Sequence, residues 1–238
     1  GCDCGGLPDR SREGSIAPGT DGGGAVISGL TALRIEPADA TVESRDGVAG
    51  TLTYRAIGEF ALGVERDVTS LVSFGFGGSI DLGAFAGPVF TASTRNGGRT
   101  YVTTTANGRA ARATLAVRII DSFSVPPTGG APALPASPGT LFGGAADAAR
   151  APTLVYPEDG AILPPNLGRV EIHWLRGPMT NTLFEVAFEN DVTSLRFHVR
   201  CERPAGIRDD GCIWEPVGDQ WRIIAETNRG GAPLSITV

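Results

Sequence analysis

Lysine is absent from this sequence: all 20 basic residues are arginine. That uniformity reads as arginine-rich codon usage and carries no inference about binding. A formal charge of −6 leaves no concentrated basic face of the kind that phosphate backbones require, which argues against nucleic acid as a partner. No run approaches the roughly 20 apolar residues needed to span a bilayer. No charged-then-apolar leader opens the chain, so any export signal is expected to have been removed. Histidine occurs only twice. No Gly-x-Ser-x-Gly elbow and no phosphate-cradling glycine loop stands between a strand and a helix. The expectation is therefore a protein that is not an enzyme and carries no cofactor or metal.

Glycine and proline are plentiful, with 34 and 17 residues, which favours turns and short strands over long helices. They concentrate in residues 126–152, PPTGGAPALPASPGTLFGGAADAARAP, where hardly a large apolar side chain occurs. Proline removes backbone donors and glycine raises the entropy cost of ordering, so this stretch has no core of its own. On both sides, apolar and polar residues alternate with the period of β-strands. With 238 residues, the chain accommodates two modules of about 100 residues each. The predicted fold class is all-β: two antiparallel Ig-like/fibronectin III-like β-sandwiches joined by a Pro/Gly/Ala-rich linker. Helix is expected only as a turn near residues 143–150.

Residues 1–29 form a polar, glycine-rich tail that buries too little to fold alone. Its opening GCDCGG resembles the mature end of a bacterial lipoprotein, where a cysteine after a small residue is acylated. That resemblance implies lipidation at Cys2; the alternative is a pair of free cysteines, Cys2 and Cys4, with Cys4 available to another chain. From Leu30 to residue 120 the texture is that of short strands: LTALRIEP, TLTYRAIGEF, RDVTSLVSF, GPVFTAS, RTYVTTTANG and RATLAVRI. Leu115, Val117 and Ile119 alternate with Thr114, Ala116 and Arg118. Asp46-Gly47, Asn96-Gly97-Gly98 and Asn107-Gly108 supply turns at intervals suited to a sandwich. The opening LRIEPADATV, Asp67-Val68-Thr69, Phe90-Thr91-Ala92, GGRTYVTTTANG and the closing ATLAV together resemble bacterial immunoglobulin-like domains of group 2. That family's modules are strung along surface proteins and adhesins. The resemblance implies an exported surface protein.

Residues 121–151 make up the linker, and residues 152–238 the second module. There Val170, Ile172 and Trp174 alternate with Glu171 and His173, and Phe184, Val186 and Phe188 with Glu185 and Glu189. Leu195, Phe197 and Val199 alternate with Arg196, His198 and Arg200. WRIIAETN and PLSITV read as two further strands, and Trp174 as the core anchor. The opening YPEDG…LPPN with a later strand ending in Trp resembles fibronectin type III-like modules.

Cys201 and Cys212 flank the turn-rich ERPAGIRDDG. A disulfide between them would stabilise by about 2–3 kcal/mol in an oxidising compartment, the alternative being two reduced cysteines across a hairpin. His173 and His198 are predicted outward; a metal shared between them is the lesser reading, since a site needs more ligands than two. The turn Asp209-Asp210-Gly211, with Glu202 or Glu215, offers oxygen ligands for calcium, but a solvated turn is the preferred reading. Trp214 and Trp221 read as packing residues before a sugar-stacking face.

The leading functional expectation is a non-enzymatic exported lipoprotein, at the cell surface, outer-membrane-anchored or extracellular, whose sandwiches serve as spacer, adhesion or assembly units. Because the tail and linker do not order themselves, its expected partners are other chains of an extracellular assembly, homo-oligomeric ones included. The alternative is a pair of accessory modules, polysaccharide-binding ones included, at the start of a longer secreted enzyme or β-propeller protein.

Overall fold

The structure is a computed structural model that describes residues 25–78, 81–128, 130–164, 166–229 and 231–238. The first half contributes β1 (Leu30–Glu36), β2 (Asp39–Arg45), β3 (Thr51–Thr53), β4 (Arg55–Phe60), β5 (Val64–Asp67), β6 (Phe74–Phe76), β7 (Gly83–Ala86), β8 (Val89–Ala92) and β9 (Gly98–Ala106). The 16-residue β10 (Arg109–Ser124) follows. The second half supplies β11 (Thr153–Tyr156), β12 (Ile172–Leu175), β13 (Leu183–Glu189), β14 (Thr193–Arg200), β15 (Gly211–Trp214), α1 (Gly218–Glu226) and β16 (Ser235–Thr237). Among the described residues the fold is almost wholly β, and no helix is long and apolar enough to cross a membrane.

The turn residues act as their chemistry predicts. Asp46-Gly47 and Asn107-Gly108 have positive φ at both positions (50° and 74°, 50° and 70°), the conformation of a tight two-residue turn. The second of these turns folds β10 back on β9 with Arg109 opposite Ala106 and Val117 opposite Gly98. On this ladder every second residue is buried: Val102, Thr104 and Ala106 from β9, and Ala111, Ala113, Leu115, Val117 and Ile119 from β10.

β10 is longer than the first half needs. Its N-terminal part pairs with β9 on one edge, and residues Thr114 to Ile120 pair in parallel with β2 on the other. From Ile119 to Ser124 the edge that carried β9 takes up β14, again in parallel. A seven-stranded mixed sheet results, in the order β16-β13-β14-β10-β9-β6 with β2 added at β10. The strand therefore crosses the boundary expected at residue 120, and both halves share one sheet. Three three-stranded sheets complete the body: β1-β4-β5, β3-β8-β7 and β11-β12-β15.

Side chains fill the space between sheets. Phe76 meets Phe90 edge-on at 5.9 Å in the first half, and Phe197 lies 4.8 Å from Trp214 in the second. One continuous apolar core runs from Ile35 through Leu115 and Ile119 to Trp174, Phe197 and Ile224. Each fully buried Phe or Leu in it contributes about 1.5–3 kcal/mol of hydrophobic free energy.

Two expectations about helix are corrected. WRIIAETN is no strand: Trp221 to Glu226 lie in α1, with Asp219 in the first turn and the Gln220 side chain accepting the Val217 N–H. Adjacent Ile223 and Ile224 are both buried, which one strand face would not allow and a helix against the core does. Residues 143–150 hold turns, and the short 3₁₀ helix nearby is Pro138–Leu141.

Candidate functional site

Cys2, the expected lipidation site, lies outside the described residues. Cys201 and Cys212 form a disulfide, with Cα atoms 5.0 Å apart. It ties the end of β14 to β15, and so clips the seven-stranded sheet to the β11-β12-β15 sheet facing it. Trp174 is 1% exposed and meets Phe184 at 5.3 Å, as a core anchor should. Trp214 is buried among Phe188 and Phe197, so it presents no stacking face to a sugar.

The two histidines belong to different sheets and serve different neighbours. His173 on β12 contacts Glu171 (Nε2–Oε2 2.8 Å), which shares Arg169 with Glu215. His198 was expected outward. It does sit on the outer face of β14 but is 2% exposed, because the linker lies over it. Phe142 stacks on the imidazole at 5.5 Å, and Pro138 beside it is buried. Beneath, His198 Nε2 meets Glu185 Oε2 at 3.0 Å, and Arg196 bonds both Glu185 and Glu189. Further along, Arg200 donates to the carbonyls of Pro132 (3.1 Å) and Ala133 (2.8 Å), while Glu202 accepts from the N–H and hydroxyl of Thr128. The linker's first residues, Asp121 to Ser124, continue the β10–β14 ladder; beyond them Arg200 and Glu202 hold it by side chains.

The acidic turn does not gather as a calcium cage. Asp209 pairs with Arg203 (2.7 Å), Asp210 takes both ends of the Arg208 fork (3.0 Å each), and Glu202 and Glu215 point to other partners. No cluster of three or more His, Cys, Asp or Glu side chains suited to a metal occurs among the described residues.

The most organised polar surface is one the sequence reading passed over. On the outer face of β1-β4-β5, Arg34 bonds Glu36 and Glu65 (Nη2–Oε2 2.8 Å), and Arg55 bonds Asp67 (Nε–Oδ2 3.0 Å) and approaches Glu36 at 3.7 Å. With Ile57 and Arg66 these side chains line an open groove of about 300 Å³. Asp67 is held down to about 2 by the Thr69 hydroxyl and N–H and then by Arg55. Its two carboxylate partners hold the Arg34 guanidinium charged far into alkali. The face presents paired charges of alternating sign. Exposed pairs of this kind add little stability. The signal was present in LRIE, where Arg34 and Glu36 alternate with Leu33 and Ile35, and in VERD, where three charges stand in a row.

No protein-family model matches the chain, and no curated protein is similar to it. The likeness of residues 30–120 to bacterial immunoglobulin-like domains therefore rests on the quoted motifs.

Proposed function

We propose that this chain is a non-enzymatic, exported surface protein, tethered through Cys2, whose β body is a rigid spacer and assembly unit for other protein chains. The observation that carries the reading is β10. A strand common to both halves makes their relative orientation a property of one hydrogen-bonded sheet, which is what a rigid spacer requires. The disulfide supports an oxidising compartment, since such bonds persist there and are rare in a reducing cytosol. The charged β1-β4-β5 face supplies the surface for a polar partner, with orientation set by complementary charge. The immunoglobulin-like and fibronectin-like motifs agree with a surface module.

The test is surface labelling of the full-length protein in its own cells. A membrane-impermeant, arginine-directed biotin reagent (the chain has no lysine) and external protease should reach it, and labelled palmitate should enter the wild type but not Cys2→Ser. Protection from both external reagents together with absence of palmitate would refute the reading.

A further inference from the structure

Arg176 is the one buried arginine among the described residues, at 8% exposure. Its burial follows from strand parity: Ile172 and Trp174 on β12 face the core, and Arg176 is the next residue in that series. The backbone is pinned on both sides. Its N–H donates to the Asp210 carbonyl at 2.9 Å, and its carbonyl accepts from Asn181 Nδ2 at 2.9 Å. The side chain has no hydrogen bond or ion pair with any described residue. Nε is sealed from solvent without a partner among the described residues, while the residue as a whole keeps 8% of its surface exposed.

The neighbouring charges are already committed. Arg208 grips Asp210 through both ends of its fork, and Arg150 Nη2 donates to Asn181 Oδ1 at 3.0 Å. Arg208 first, and the field of Arg176 last, hold the Asp210 carboxyl below the usual range, so Asp210 answers to two cations and bonds one. A guanidinium does not neutralise itself by losing its proton, and a buried unpaired charge is costly. The unfilled requirement is a planar anion that takes the fork in two hydrogen bonds. The Asp210 carboxylate alongside disfavours a dianion. We infer that Arg176 anchors a binding site for a monoanionic carboxylate, the group carried by acidic side chains and by uronic-acid sugars alike.

The test exchanges chloride for sodium acetate at constant ionic strength and reads the Tm of the whole chain. Wild type should gain about 3–8 °C at saturation, whereas Arg176→Met should gain nothing and be at least as stable as wild type in chloride. Exposed Arg95→Met should respond like wild type. Equal gains in wild type and Arg176→Met, or none in either, would overturn the proposal, as would an Arg176→Met protein that is weaker in chloride. The Arg176 Nε–H resonance of wild type, sheltered from exchange, gives a readout that needs no variant: it should shift with acetate, and a fixed resonance overturns the site. Glucuronate and N-acetylglutamate amide then separate the sources, the tighter binder naming a saccharide or a protein partner.

Discussion

Gly98 has φ of +141°, and a Cβ added there would meet the Arg229 carbonyl oxygen at 2.4 Å. Beside it, a Cβ on Gly97 would come within 2.7 Å of the Thr227 carbonyl. These glycines let the loop before β9 touch the chain leaving α1, where the Gly97 N–H donates to the Glu226 carbonyl. Gly98→Ala should cost about 1–3 kcal/mol in urea denaturation, through backbone strain rather than lost packing. Tyr54 presents the opposite case. It is fully buried, its hydroxyl has no partner, and burial, with Asp39 nearby, pushes it up to about 12. Tyr54→Phe should therefore be neutral or stabilising by up to about 1 kcal/mol, since it removes an unmet hydroxyl and keeps the ring. Asp67 sets an acid limit. Its folded pKa lies below the unfolded value, so its contribution is present above about pH 4 and is lost as pH falls towards 2. Asp67→Asn should flatten the stability profile across that window and lower it by a constant amount above pH 5.

The disulfide acts at the scale of elements. It joins β14 to β15 across an 11-residue separation, and the residues flanking Cys201, Arg200 and Glu202, are those that hold the linker. The double variant Cys201→Ser, Cys212→Ser should lose about 2–3 kcal/mol in denaturant titration. It should also be cut faster by protease within residues 126–142, because the anchors for that stretch lose their fixed spacing. Elements also mark where sequence reading worked. Period-two alternation located β9, β10, β12, β13 and β14, since one buried face imprints its pattern on each strand. α1 escaped because Trp221, Ile223 and Ile224 are β-favouring residues, and the helix is imposed by packing against the core. The burial of His198 escaped for a related reason. Its outer-face position was legible, but the linker that covers it packs through scattered residues such as Gly139 and Phe142, which carry no periodic signal.

At the scale of the whole molecule, the halves are joined along β10 and at contacts around it. Ile119 donates its N–H to the Val192 carbonyl at 3.0 Å, Phe123 stacks on Phe197 at 4.9 Å, and Arg99 pairs with Asp191 (Nε–Oδ2 2.9 Å). The extension of β10 was partly written in the chain, since Phe123 and Val125 continue the inward series of Leu115, Val117 and Ile119. Its parallel partner β14 lies some 70 residues away in sequence, and no local pattern names a partner at that range. The central claim is that this strand makes one cooperative body of the two halves. Calorimetry of the whole chain, oxidised, tests it most directly. The account predicts a single unfolding transition with a calorimetric to van't Hoff enthalpy ratio of about 1. Two resolved transitions, matching those of separately expressed residues 25–120 and 152–238, would contradict it.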